Sequence, residues 1–271
     1  MASLHAIAGA SGAWARPAIN RIGFGDIRDA LAKGIDDFLT MPSHLVFLCL
    51  ICPAVGAILA ATNALSLLYP LASGFALVGP FAAIGLYELS RRRELGMDTS
   101  WGHAFEVLRS PAMPSILVLG LLLMLVFLCW LASAQALYEW LFGPAPPQSY
   151  SHFVGEVLTT SRGWALILLG NGIGFLFAVL VLSISVVSFP LLLDRDVGVA
   201  VAIHTSVRAV LANPVMMALW GCIVAALLVI GTLPLFVGLA VVMPVLGHAT
   251  WHLYRKVVER SAFEERQATT S

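Results

Sequence analysis

The chain has 271 residues, of which 59% are apolar and only 11% charged, with a net charge of zero. Soluble domains carry about a quarter charged residues, so a water-covered globule of this size is excluded, whereas a surface facing lipid needs no charge. The neutral balance offers nucleic acid no basic field. Cys49, Cys52, Cys129 and Cys222 all lie in apolar runs, unlike the cysteines of a secreted disulfide framework.

In chain order, the first element is a tail over residues 1–41 with Arg16, Arg21, Arg28, Lys33 and four aspartates. An apolar run starts only near residue 42, too far from Met1 for a cleavable signal peptide, so the tail is expected to be kept. Phe38 to Tyr87 contains no Asp, Glu, Lys or Arg. Since about 20 apolar residues cross a bilayer, this stretch predicts two spans, 43–63 and 68–89. A third is predicted at 114–138. The fourth, 164–193, exceeds one crossing and should tilt, or project into the cytoplasm near Phe189-Pro190. The charge-free stretch Ala209 to Tyr254 breaks at Gly231-Thr232-Leu233-Pro234, predicting spans at 214–232 and 235–254. The expectation is an all-α polytopic membrane protein: a tail (1–41), a six-transmembrane-helix bundle (42–255) and a second tail (256–271).

Six spans place both tails and the 90–113 and 194–213 loops on one side, with 14 of the 15 Lys and Arg; only Arg162 lies opposite. The positive-inside rule then sets both termini in the cytoplasm, in a bacterial inner membrane. Trp140 and Trp164 fall at the predicted outer interface, and Tyr87, Trp251 and Tyr254 at the inner one, as an aromatic belt would. Three thirteen-residue segments, 30–42, 102–114 and 202–214, each end in proline before a span. Proline suits a helix's first position, so each predicts a short cytoplasmic interfacial helix, a break and a span, a pattern compatible with a threefold hairpin repeat.

Two stretches are distinctive: Gly85-Leu86-Tyr87-Glu88-Leu89-Ser90-Arg91-Arg92-Arg93-Glu94-Leu95-Gly96 and Gly247-His248-Ala249-Thr250-Trp251-His252-Leu253-Tyr254-Arg255. With the six-span layout they resemble the bacterial membrane-protein family called domain of unknown function 2189, from about residue 20 to 260. The resemblance implies a multi-span membrane protein and brings no established activity, substrate or cofactor.

His248 and His252 are four apart, hence on one helical face, and could chelate a metal or haem if His103 and His204 joined them. The structural alternative, which the residues favour, is a pair hydrogen-bonded to neighbouring helices, with no cofactor. Cys49 and Cys52 form C-x-x-C inside an apolar run, where thiols are more often filler than ligands. Glu88, Arg91, Arg92, Arg93 and Glu94 form a charged cluster expected to anchor topology through ion pairs and anionic lipid. Gly170 and Gly174 form a small-residue pair for close helix packing, with Asn171 beside them as a polar group. No charged residue lies at predicted mid-membrane depth, and no Walker, G-x-S-x-G or H-E-x-x-H motif is present. No catalytic residue is therefore assigned. The expected function is a non-enzymatic scaffold acting on membrane-protein partners through its cytoplasmic face. The alternatives are a passive transporter or channel for a neutral or weakly polar solute, using Asn171 and the serines of the fourth span, and a cytoplasmic-face metal- or haem-binding protein.

Overall fold

The computed structural model describes residues 17–41, 83–100, 102–103, 107, 109–144, 150–233 and 238–259. The expected spans 43–63 and most of 68–89, and the Cys49–Cys52 pair, lie outside them. Among the described residues the structure is all-helical save one isolated antiparallel bridge, Ile19 to Val258. Helix α1 is Phe24–Thr40, residues 83–94 form α2, and α3 is Met113–Phe142. Then come α4 (Tyr150–Thr159), α5 (Ser161–Ser185), α6 (Ser188–Asp194), α7 (Val199–Ala212), α8 (Pro214–Thr232) and α9 (Leu239–Val257).

Among the described residues, three helical stretches are long and apolar enough to cross a membrane: Met113–Phe142, Ser161–Asp194 and Pro214–Gly231. They coincide with the expected third, fourth and fifth spans. Helix α9 covers the expected sixth span but is not among them. Pro244, His248, Thr250, His252, Arg255 and Lys256 dilute its apolar character, and much of its surface is buried in protein. The overlong fourth span resolves into α5 and α6, with a break at Val186-Val187, just before the Phe189-Pro190 pair where the sequence predicts tilt or projection into the cytoplasm. Proline is tolerated in the first turn of α6, and the Val187 N–H donates instead to Ser206 Oγ of α7 at 3.2 Å.

The chain divides into two compact units, Leu121–Ser183 and the remainder. In the smaller unit, Gly163 sits where a Cβ would come within 2.2 Å of the Val157 carbonyl oxygen, so only glycine fits the tight passage from α4 to α5. Gly170 and Gly174 face Leu137 and Trp130 of α3, at 3.7 and 3.8 Å from an ideal Cβ. Trp140 and Trp164 are exposed, alongside Leu121, Leu168, Phe175 and Leu176. Such a surface suits lipid.

In the larger unit, α1 packs along α9, and a Cβ at Gly34 would lie 2.6 Å from the backbone nitrogen of Ala249. Residues 18–20 are knit to residues 257–259: Asn20 N–H donates to Val257 O, and Glu259 N–H to Ala18 O. Asn213, between α7 and α8, accepts from Ile22 N–H at 2.8 Å and donates to Asn20 O at 3.0 Å. Of the expected interfacial segments, 30–42 lies largely in α1, and 202–214 gives α7, a break at Asn213 and Pro214 opening α8. The described part of 102–114 has only short turns before α3. The expected inner aromatic belt is corrected: Tyr87, Trp251 and Tyr254 are buried in the protein, not turned to headgroups. The reason is polar, because the indole and the Tyr254 phenol both find carboxylates inside.

Candidate functional site

Helices α1, α2 and α9 meet around Asp37. Its place follows from helical period: Ile27, Ala30, Gly34 and Asp37 form the buried stripe of α1, so a carboxylate is carried into the packed face. Asp37 is only 3% exposed. A buried carboxylate needs partners, and it has three. Ser90 Oγ donates to Oδ2 at 2.5 Å, His252 Nε2 donates to the same oxygen at 2.8 Å, and Arg93 donates to Oδ1 at 2.5 Å. His248 Nδ1 lies 2.7 Å from Ser90 Oγ. Burial pushes the Asp37 carboxyl up, but the bonds from His252, Ser90 and Arg93 outweigh it and hold the group below its ordinary value.

Serine, histidine and aspartate are the residue types of a hydrolytic triad, yet the connectivity is different. The hydroxyl is bonded straight to the carboxylate, and Ser90 is 1% exposed. A nucleophile must present its oxygen to a substrate with a base to take its proton. Ser90 here ties three helices together instead.

A second network lies beside the first. Glu94 accepts from Trp251 Nε1 at 3.2 Å and from Arg255 Nε at 2.9 Å. Asp194, the last residue of α6, accepts from Tyr254 Oη at 2.7 Å and from Arg255 at 3.0 Å. The Arg255 guanidinium also stacks over Trp251, 4.7 Å from the ring centre. The arginine triplet fans out because consecutive helical residues point about 100° apart. Arg91 and Arg92 both pair with Glu88, at 3.1 and 3.0 Å, while Arg93 turns to Asp36 and Asp37. A cleft of about 310 Å³ opens next to these pairs, lined on its polar side by Glu88, Arg91, Asp194 and Arg195 and on its apolar side by residues such as Val107 and Leu192.

The expected residues are therefore distributed unevenly. Glu88, Arg91, Arg92, Arg93, Glu94, His248 and His252 share this region, whereas His103 pairs with Asp98 at 3.0 Å and His204 is exposed on α7. The four histidines do not converge. Among the described residues no three of His, Cys, Asp and Glu are placed to hold a metal, so the geometry gives the metal reading no support. Asn171 is exposed on α5, and its amide donates to Ile167 O of its own helix at 2.7 Å. Asp37 and Asp194 were not singled out from sequence, and Ser90 and Arg255 entered only as members of the two distinctive stretches. A carboxylate on the buried stripe of α1 was the available signal for the first.

One family model, described as a predicted integral membrane protein (DUF2189), matches residues 68–194. No curated protein and no solved structure matches the chain. The matched stretch holds the Gly85–Gly96 motif and ends on Asp194; the Gly247–Arg255 motif lies beyond it, so the resemblance is shown over a shorter stretch than the expected 20–260. Over just under half its length, the chain resembles the predicted integral membrane proteins of domain of unknown function 2189, in keeping with the three membrane-length apolar helices among its described residues.

Proposed function

We propose that this chain is a non-enzymatic scaffold of a bacterial inner membrane, with both termini cytoplasmic, that engages membrane-protein partners through its charged face. The observation that carries this reading is the interlocking of the two distinctive motifs. Residues 88–94 and 248–255 bond to each other and to Asp37 and Asp194. These groups are engaged in holding helices together, which favours a rigid platform over a reactive centre. Arg91 and Arg93 keep about a third of their side chains exposed, and the 310 Å³ cleft gives a partner's polar side chain a place to enter. A passive transporter built on Asn171 has weaker support, because that amide is turned to its own helix.

Affinity purification in mild detergent, from cells expressing the protein at its normal level, tests the proposal. The expected result is co-purification of a defined membrane partner that is lost on Arg91→Glu while the variant remains folded. Recovery of the protein alone would sink it.

A further inference from the structure

Helix α1 has three faces, and among the described residues only one of them is buried. Ile27, Ala30, Gly34 and Asp37 are buried. The rest of the surface sorts itself by polarity. Phe24, Leu31, Ile35 and Phe38, spaced at i, i+7, i+11 and i+14, form an outward apolar stripe widened by Leu39 and Ala32, with Arg28 inside it. Asp26, Asp29, Lys33, Asp36 and Thr40 occupy the other outward side. Phe24, Ile35 and Leu39 are 65%, 47% and 68% exposed. Water alone gives no reason to segregate an exposed surface in this way.

We infer that α1 lies on the bilayer surface, its Phe24–Leu39 stripe sunk into the boundary between headgroups and acyl chains. Two further observations select lipid as the occupant. The four aspartates of α1, which anionic headgroups would repel, are held in ion pairs within the protein: Asp26 and Asp29 with Lys256, Asp36 and Asp37 with Arg93. Arg28 is left in the stripe, where its apolar stem can lie along the boundary and its guanidinium reach phosphate. Moreover, α1 ends at Thr40, and the charge-free stretch from Phe38 to Tyr87 follows directly, so the Leu39 end of the helix enters lipid-compatible chain within a residue or two. This inference is independent of whether a partner docks on the charged platform.

Spin labels provide the test. Single replacements Phe24→Cys, Ile35→Cys and Leu39→Cys on the stripe, and Lys33→Cys and Thr40→Cys on the polar side, are made in the full chain with its four native cysteines changed to alanine. Each protein is labelled and reconstituted into vesicles of phosphatidylethanolamine and phosphatidylglycerol. Collisions with oxygen, which concentrates in acyl chains, are compared with collisions with a water-soluble nickel chelate. The stripe positions should favour oxygen severalfold, and the polar positions should favour nickel. Ala32→Cys repeats the stripe measurement with the smallest change of side chain, should a larger replacement disturb the helix. Nickel dominating at the stripe would show it open to water. Low collision rates with both reagents would show it covered by protein, whether the same chain or a second copy. Either result overturns the inference.

Discussion

Asp37 is the residue on which three helices depend, and its sequence position hides this. Within α1 it is one of four aspartates in a tail that reads as solvated, and its histidine partner is 215 residues away. The i, i+4 spacing of His248 and His252 made their shared face legible, but not what that face meets, because nothing local encodes a contact across such a separation. Replacing Asp37→Asn keeps the shape and removes the charge. Arg93 retains Asp36, so the loss is that of charge-assisted bonds, about 1.5–3 kcal/mol. A lower unfolding midpoint in detergent, with insertion intact, is the expected outcome; an unchanged midpoint would remove Asp37 from the centre of the network. The pH dependence has a definite sign. The folded carboxyl is held below the ordinary value of 3.8, so its stabilisation is complete above that value and is lost as the pH falls through the lower folded value. Denaturation midpoints for the parent should therefore drop on acidification below about pH 4, and Asp37→Asn should flatten that part of the curve.

At the scale of elements, the long apolar runs were legible because one physical quantity, freedom from charge over a membrane's thickness, determines them. Helices α3, α5 and α8 fall where the sequence predicts spans. Helix α9 does not follow that rule: its polar residues dilute the apolar run and are satisfied by protein partners. The aromatic belt misled for the same reason: Trp251 and Tyr254 have polar tips that headgroups or buried carboxylates can satisfy, and Glu94 and Asp194 supply the latter. The glycines separate in an instructive way. Gly170 and Gly174, picked by their spacing, face α3 with room for an ordinary methyl contact, whereas Gly34, inconspicuous in sequence, is where backbones meet. Gly34→Ala should force α1 away from Ala249 and cost about 1–3 kcal/mol. Gly172→Ala, with nothing within 4 Å of its Cβ, should be neutral or stabilise by up to about 1 kcal/mol through helix propensity. Thermal unfolding of both variants in one detergent checks the contrast; equal effects would mean that the α1–α9 contact is looser than described.

For the molecule as a whole, the charged platform and the membrane must be placed on definite sides of one another. The arginine triplet serves as both a topology signal and a structural part, and these roles come apart on mutation. Since ten further Lys and Arg remain in the segments expected to be cytoplasmic besides Arg109, changing Arg91, Arg92 and Arg93 to Gln should leave insertion intact. It should lower stability, because Glu88 and Asp37 lose their guanidinium partners. Misinsertion of this variant, read by protease protection of its tails, would instead assign the triplet to anchoring.

The most direct measurement is the sidedness of the platform itself. Ser100 is exposed and stands in the segment that follows α2, where Arg92 donates to the carbonyl of Asp98. In a chain whose native cysteines are replaced, Ser100→Cys should react with an impermeant thiol reagent only after lysis, while Gln148→Cys should react in intact cells. Labelling of Ser100→Cys from outside would place the platform on the opposite face and contradict the account.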